Sequence, residues 1–230
     1  MHATWPRRTR WICVLAAGLC AFAARADGTV PVAATANLFR AGGNSPASAG
    51  TDPALATLGP NAAGDTLRFP SVTGTTDCDG AASGCAPTGP DGTLDGNVSA
   101  PKLGAIAGIA YRGAAALPLL GVLLGPALDQ PLSFPLDFRQ AEGFASLAPE
   151  LGQPFWIGDG LTGTGSGAPH QFVIPTGATR LFLGFYDPAI ADDTGSLTVH
   201  FTVAEPSQAS LAAVLALAAC QRARCRRSAT

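Results

Sequence analysis

The stretch SLTVHFTV, residues 196–203, decides the fold class of this chain. Apolar and polar residues alternate along it without a break, and successive side chains of a β-strand point to opposite faces of a sheet. We therefore expect a half-buried strand whose other face, which includes His200, lies in water. The predicted buried face carries Leu197, Val199, Phe201 and Val203.

Short segments with strand character recur upstream, between turn residues. The apolar run 117–124 predicts a buried strand, and residues 153–157, 170–174 and 180–186 predict three more. Many short strands joined by turns that contain Gly and Pro are typical of an all-β fold. We therefore predict a jelly-roll-like β-sandwich.

The remaining segments of the body predict little regular structure. One or two short helices are expected near residues 102–109 and 146–151. Residues 42–64 are mostly Ala, Gly, Pro, Ser and Asn, which is typical of a long loop.

The N-terminus has the three parts of a secretory signal peptide. A start with three arginines precedes the apolar residues 11–23, and the small residues Ala24 and Ala26 stand where a signal peptidase reads the chain. The apolar run is too short for a stable membrane span. We predict a signal helix within a signal peptide, residues 1–26, that is cleaved before Asp27. Twin arginines in the basic start leave the twin-arginine route open beside general secretion.

The C-terminus combines a short polar motif, an apolar segment and a basic end. Glu205 and Pro206 precede the apolar residues 211–220. The basic end consists of Arg222, Arg224, Arg226 and Arg227. This order predicts a hydrophobic helix that holds the chain at a membrane with its arginines on the cytoplasmic side. The chain then divides into residues 1–26, a β-sandwich domain over residues 27–203, and a tail over residues 204–230.

The body between the two ends is acidic. It holds all sixteen acidic residues of the chain and six of the fourteen basic ones, a net charge of −10 against −2 for the whole chain. An acidic body argues against nucleic acid as a partner, because phosphates need a positive surface. It is compatible with divalent cations and neutral sugars, and it keeps an exported protein in solution.

Cys78 and Cys85 are the two cysteines of the predicted domain, and the other four lie in the signal peptide and the tail. Two cysteines this close in an exported chain predict one disulfide that braces a local loop. A metal site built on cysteine would need more ligands than this pair supplies.

Three aspartates surround a short connection between two predicted strands. Asp187 follows the strand 180–186, and Asp192 and Asp193 precede the next strand. Three carboxylates at one point repel each other unless a cation neutralises them. Because Ca²⁺ takes oxygen ligands, to which main-chain carbonyls can add, we predict that these three aspartates bind calcium. A solvated acidic turn is the alternative.

Other motifs predict turns and no catalytic centre. Residues 91–97 mimic the first half of a calcium loop, but Lys102 stands where the loop needs Glu, so we interpret them as a plain turn. Residues 158–163 match a dinucleotide glycine pattern without the helix that it requires, and we interpret them as a turn lining a site at Asp159. Neither a Ser-His-Asp triad nor a carboxylate pair stands out, so we do not expect an enzyme.

The C-terminal tail resembles the PEP-CTERM sorting signal of bacterial proteins that an exosortase processes. In that family a Pro-Glu-Pro motif precedes a hydrophobic helix and an arginine cluster. Here the motif is Ala204-Glu205-Pro206, so the first proline is missing. The resemblance implies that Glu205, Pro206 and the four arginines of the basic end form a sorting signal. It also implies transient attachment to the inner membrane, cleavage by an exosortase-type enzyme, and release to the envelope surface or the outside of the cell.

The body resembles a family of such exported proteins. The segments that carry this resemblance are residues 71–74, 120–124, 153–165 and 177–185.

The last strands are similar, more distantly, to bacterial galactose-binding lectin domains. There a strand ends in Asp, and paired Asn residues precede the next strand, where calcium bridges the loop to sugar hydroxyls. Asp187 takes the place of the first Asp, and Asp192 and Asp193 replace the paired Asn. The loop is shorter here. The resemblance implies calcium and a carbohydrate ligand at this loop, and we predict Asp159, Tyr186, Asp187 and Asp193 as the ligand-binding residues.

These observations predict a non-enzymatic protein of the cell envelope or extracellular matrix that binds an extracellular polysaccharide through a calcium loop. The alternative is a purely structural matrix or biofilm component without a small ligand.

Overall fold

The computed structural model describes residues 24–43, 49–58, 63–78, 86–93, 97–112, 117–127 and 133–204. The predicted signal helix and the predicted hydrophobic C-terminal helix lie outside these residues. Within them, no helix has the length and apolar character needed to cross a membrane.

Strands dominate the described part of the chain. Their bounds are β1 Ala24–Ala33, β2 Ala54–Thr57, β3 Thr66–Asp77, β4 Asn97–Ala100, β5 Ile109–Arg112, β6 Leu120–Leu124, β7 Leu136–Asp137, β8 Ser146–Leu147, β9 Phe155–Trp156, β10 Leu161–Gly163, β11 Ser166–Pro169, β12 Gln171–Val173, β13 Arg180–Gly184 and β14 Thr194–Ala204. A 3-10 helix spans Leu38–Gly43. The predicted all-β class is confirmed.

Two larger sheets form a sandwich-like architecture. The five-stranded sheet has the order β1-β14-β3-β12-β8, and the four-stranded sheet has the order β2-β13-β6-β9. Strands β4, β5 and β7 form a smaller sheet, and β10 pairs with β11. The two larger sheets share one apolar core. Across this core, the Phe172 ring of β12 lies 4.7 Å from the Phe155 ring of β9.

Strand β14 has the predicted alternation. Its four apolar side chains are at most 4% exposed, while Ser196 and Thr198 are exposed. Strand β6 is buried along its whole length, as its continuous apolar sequence predicts, and it lies between β13 and β9 in its sheet. The other predicted strands are shorter than expected but lie where the sequence places them.

Neither predicted helix near residues 102–109 and 146–151 forms. Leu103 and Ile106 bond to each other across a tight turn that contains Gly104 at a φ of 56°. Residues 146–147 pair in parallel with β12 as strand β8. Pro149 follows β8 and cannot donate a main-chain hydrogen bond, so it opposes a helix there.

The segment 42–64, predicted as a long loop, contains strand β2, which pairs with β13. The partner is more than a hundred residues away, and the pairing overrides the weak local preference of an Ala-rich segment.

The sequence pattern did not reveal β3, the inner neighbour of β14. Its register slips between the pairs His200↔Ser71 and Thr202↔Arg68, so β3 carries an extra residue there. Pro70 lies in this bulge, where a missing N–H group costs little. The bulge, Pro70 and Gly74 break the alternation that would have predicted the strand.

Strand β1 was also missed, and it begins inside the predicted signal peptide. It pairs with β14 from Ala24↔Ala204 to Ala33↔Ser196, with one register shift between Ala24 and Ala26. The first and last described strands of the chain are therefore direct neighbours.

Candidate functional site

An open cleft of about 470 Å³ lies beside the five-stranded sheet. Residues 70–72 of β3 line it, together with the turn 89–92 and, opposite, Asp159 with the β10–β11 hairpin. The cleft exists because β3 has an incomplete edge. Strand β12 pairs with β3 only at Thr66 and Leu67, and Thr88 pairs only with Thr76. Between these points, no strand of the described residues pairs with that edge.

Two aspartates are fixed in this cleft by main-chain amides. The Asp159 carboxylate accepts hydrogen bonds from the amides of Leu161, at 2.8 Å, and Gly165, at 2.6 Å. The amide of Asp159 in turn donates to Asp91 Oδ1 at 2.7 Å. The carboxylates therefore hold the hairpin and the turn 89–92 against each other.

Gly160 brings this hairpin close to β3. It has a φ of 86°, and a Cβ atom at this position would lie only 2.4 Å from the Phe69 carbonyl oxygen. Any other residue would be strained and would push the hairpin away from the strand. The glycine-rich sequence at 158–163 thus allows the backbone of the hairpin to lie close to the backbone of β3. This geometry is compatible with its interpretation as a turn that lines a site.

Asp91 is the carboxyl of the pair that holds a proton more readily than usual. Burial raises its pKa, and the charge of Asp159 raises it further. The hydrogen bonds from the Asp159 amide and the Thr164 side chain act in the opposite direction but are outweighed.

A smaller pocket of about 140 Å³ shares Asp91, Leu161 and Thr164 with the cleft. Glu142 and Trp156 also line it. Glu142 Oε1 is buried and has no hydrogen-bond partner among the described residues. The small pocket thus offers a carboxylate oxygen that is ready to accept a hydrogen bond.

His170 lies behind this region as a buried neutral imidazole. Its Nδ1 donates to the Phe144 carbonyl at 2.5 Å, and its ring stacks on the Phe144 ring at a centroid distance of 4.2 Å. Burial lowers its pKa, while the Phe144 carbonyl and the charges of Asp159 and Asp91 oppose that effect. The imidazole therefore lies within electrostatic range of both aspartates of the cleft.

The three aspartates of the predicted calcium loop lie in the connection between β13 and β14. Asp187 Oδ1 accepts the Ala189 amide at 2.7 Å, and the Asp192 amide donates to the Ala189 carbonyl at 3.1 Å. Asp192 is exposed, whereas Asp193 is only 5% exposed. No three or more His, Cys, Asp or Glu side chains of the described chain are grouped so that they could hold a metal ion. Calcium binding therefore stays a prediction.

Tyr111 connects the Asp187 loop to the region of the small pocket. Its hydroxyl donates to the Tyr186 carbonyl at 2.9 Å, and its ring lies 5.9 Å from the Trp156 ring. Burial raises the pKa of Tyr111, and the nearby charges of Asp187 and Asp193 add to that effect. The structure therefore brings these two aspartates near one hydroxyl, while Asp159 lines the separate cleft.

Cys78 is buried and disulfide-bonded. Cys85 lies outside the described residues, so the pairing of the two stays a prediction. The residues of the predicted sorting signal, from Glu205 onward, also lie outside them.

Asp91, Glu142 and His170 are the site residues that the sequence did not indicate. The Gly-Pro-Asp-Gly sequence at 89–92 marks a turn, but it carries no sign of Asp159, which lies 68 residues further along the chain.

No protein-family model, curated protein or solved structure matches this chain.

Proposed function

We propose that this is an exported, non-enzymatic protein of the cell envelope or extracellular matrix whose domain, a sandwich of the jelly-roll type, binds carbohydrate. The cleft beside β3 is the binding site in this proposal. The observation that carries it is the pair Asp91 and Asp159, held by main-chain amides in an open cleft.

A sugar suits the chemistry of this cleft. Its lining combines the Asp91 and Asp159 carboxylates with the Ser71 and Thr164 hydroxyls and a surface of Pro, Gly, Val and Leu. Neighbouring sugar hydroxyls donate to a carboxylate in charge-assisted hydrogen bonds, and the sugar's C–H faces suit the apolar patches. Among the described residues, none that lines the cleft is basic, so a neutral glycan fits better than an anionic one.

The openness of the cleft favours binding a chain from its side. Because β3 lies along one wall and no strand of the described segments pairs with it there, an extended polysaccharide can pass through without threading an end into a pocket. This geometry suits a matrix polymer.

Export and sorting complete the proposal. The signal peptide directs the chain out of the cytoplasm, and the tail with Glu205, Pro206 and the arginine cluster holds it at the inner membrane until an exosortase-type enzyme cleaves it. The net charge of −10 over residues 27–206 supports a role outside the cell without nucleic acid.

Calcium is a second element of the proposal. Burial raises the pKa of Tyr111, and the charges of Asp187 and Asp193 add to that effect, so a cation bound by these aspartates would neutralise two charges that act on the same hydroxyl. The Asp187 loop would then act as a support for the sugar site, or as a second contact for the sugar.

A glycan array on the mature protein, with and without millimolar calcium, tests both elements. We expect binding to neutral glycans that Asp91→Asn and Asp159→Asn each weaken by about tenfold, because each removes a charge-assisted hydrogen bond. Glu150→Gln, which changes an exposed carboxylate outside the cleft, should leave binding unchanged.

The outcomes separate the alternatives. Unchanged binding in both cleft variants, with intact thermal melts, would exclude the cleft. An increase in melting temperature with calcium that disappears in Asp187→Ala would support the calcium loop. An array without binding at any calcium level would favour the purely structural matrix component.

A further inference from the structure

We propose that the domain stands on the membrane on its β1–β14 corner, with the Asp187–Asp193 loop at the far end. The β1–β14 corner comprises residues 24–27 and 202–204. This inference rests on the export and tethering proposed above, but not on sugar binding.

The register of the first and last strands carries the inference. Ala24 pairs with Ala204, Ala26 with Val203, and Asp27 with Thr202. Near the corner, His200 Nε2 also contacts Asp27 Oδ1 at 2.6 Å. Paired residues of antiparallel strands lie about 5 Å apart, so the chain enters and leaves the domain at one point.

Both apolar terminal segments lie close to this point along the chain. Residues 11–23 end directly before Ala24, and residues 211–220 begin seven residues after Ala204. Seven residues span at most about 25 Å when extended. The two segments can therefore enter the same patch of bilayer, and neither needs a long linker.

The arginines that flank the two apolar segments favour the same arrangement, with both segments on one side of the domain. Three arginines precede the first apolar segment and four follow the second, whereas Arg25 is the one arginine at the domain end of either segment. An excess of arginines marks the cytoplasmic side of a membrane, so each segment places its other end, which joins the domain, on the outer side. A domain whose two ends lay on opposite faces would have to bridge the distance with unfolded chain. The pairing of Ala24 with Ala204 removes that cost.

The length of β14 then sets the height of the acidic loop. The strand runs from Thr194 to Ala204, and at about 3.4 Å per residue it spans about 34 Å. Asp193 directly precedes it and Ala204 ends it, so the Asp187–Asp193 loop stands about that far from the membrane side. The face that meets the bilayer is thus the corner, and the acidic loop points into the surrounding medium.

Fluorescence energy transfer to the bilayer tests this orientation. The full chain is synthesised cell-free with liposomes of phosphatidylethanolamine and phosphatidylglycerol, without signal peptidase, so that both apolar segments remain. Single donor dyes are attached at Thr29→Cys, Thr198→Cys or Ala189→Cys, three exposed positions, and acceptors at the lipid headgroups. Four native cysteines are replaced by Ser: Cys13, Cys20, Cys220 and Cys225.

We expect a stepwise loss of transfer efficiency from Thr29 to Thr198 to Ala189. Thr29 lies opposite His200, two residues from the corner, and Ala189 lies beyond the start of β14. Equal efficiencies, or the reverse order, in chains that float with the liposomes would overturn the orientation alone. Chains that do not float would overturn the tether and the orientation together, and neither result would bear on sugar binding.

Discussion

His170 shows how a single side chain ties stability to pH. It is fully buried, its Nδ1 donates to the Phe144 carbonyl, and burial lowers its pKa below the usual 6.5. The unfolded chain takes up a proton near pH 6.5, whereas the folded chain does so only at lower pH. Neutral His170 therefore makes its full contribution to the free energy of unfolding above pH 6.5. This contribution is lost as the pH falls below that value.

We predict that His170→Gln makes the free energy of unfolding less dependent on pH between about 6.5 and 5, because the titrating group is gone. The Gln amide nitrogen matches Nε2 and not Nδ1 of the imidazole, so the hydrogen bond to the Phe144 carbonyl is lost, and we expect a loss of stability of about 1–3 kcal/mol. Urea unfolding at a series of pH values measures the slope.

His200→Gln is the matched control, since His200 lies on the outer face of β14 beside Asp27. If His170→Gln had the same slope as the native protein while His200→Gln removed it, the assignment to His170 would be wrong.

The contribution of Asp91 to the free energy of unfolding changes with pH in the opposite direction. Its raised pKa means that the folded state binds a proton more tightly than the unfolded chain. Its contribution to the free energy of unfolding therefore falls as the pH rises from 3.8 through its folded pKa. The cleft keeps this carboxylate at a cost to stability, which is typical of a group retained for binding.

At the scale of elements, the pairing of β3 with β14 depends on one glycine. Gly74 has a φ of 115°, and a Cβ atom there would lie 2.3 Å from the Ser196 carbonyl oxygen. The two strands can approach this closely because no side chain intervenes.

We predict that Gly74→Ala lowers the free energy of unfolding by about 3 kcal/mol, from backbone strain and displacement of β14 together. Gly64 has a φ of 83°, and no atom of the described residues lies within 4 Å of its Cβ position, so Gly64→Ala should cost about 1 kcal/mol from strain alone. Gly89 has neither a left-handed φ nor a described atom near its Cβ position, so Gly89→Ala should hardly change the free energy of unfolding. Denaturant unfolding of the three variants separates strain from steric contact, and equal costs for Gly74 and Gly64 would contradict the close approach.

The bulge in β3 also explains the position of the cleft. The extra residue at Pro70 bends the strand beyond its short pairing with β12. The open edge is therefore a property of β3 and its neighbours, and the hairpin with Asp159 covers only part of it.

At the scale of the whole molecule, the fold closes by pairing its first strand with its last described one. Strand β1 cannot form its ladder until β14 has been synthesised. In the folded chain the Ala26–Asp27 bond, where we predict signal cleavage, lies inside that ladder. Cleavage should therefore be faster before the sheet closes than afterwards.

We predict that signal peptidase cleaves the chain when it is present during synthesis, and about tenfold more slowly when it is added after folding, because a paired strand must open first. Val199→Asp places a charge in the core and should abolish the delay. Thr198→Asp, on the exposed face of the same strand, should keep it. Gel analysis of the precursor and product follows the rate, and a folded native precursor cleaved at the full rate would contradict the shielding.

Some strands could be predicted from the sequence and others could not, and the difference has a physical reason. Strand β14 and strand β6 were predictable because burial repeats along each of them with a simple pattern. Strand β3 was not, because a bulge, Pro70 and Gly74 interrupt its alternation. Strand β1 could not be predicted because its first residues also fit the end of a signal peptide.

The candidate site was predictable only in part for a related reason. Asp159 could be inferred from the glycine-rich turn around it. Its partner Asp91 could not, because a turn sequence does not encode which distant segment it will contact.

The sequence by itself determined the all-β class, the alternating burial of β14 and the acidic character of the body, because periodicity and charge are local properties that each segment carries alone. Only the tertiary structure decided the cleft and the corner. Asp91 meets Asp159 across 68 residues, and Asp27 meets His200 across 173. Contacts over such separations depend on how all the intervening strands pair, and no single segment specifies that.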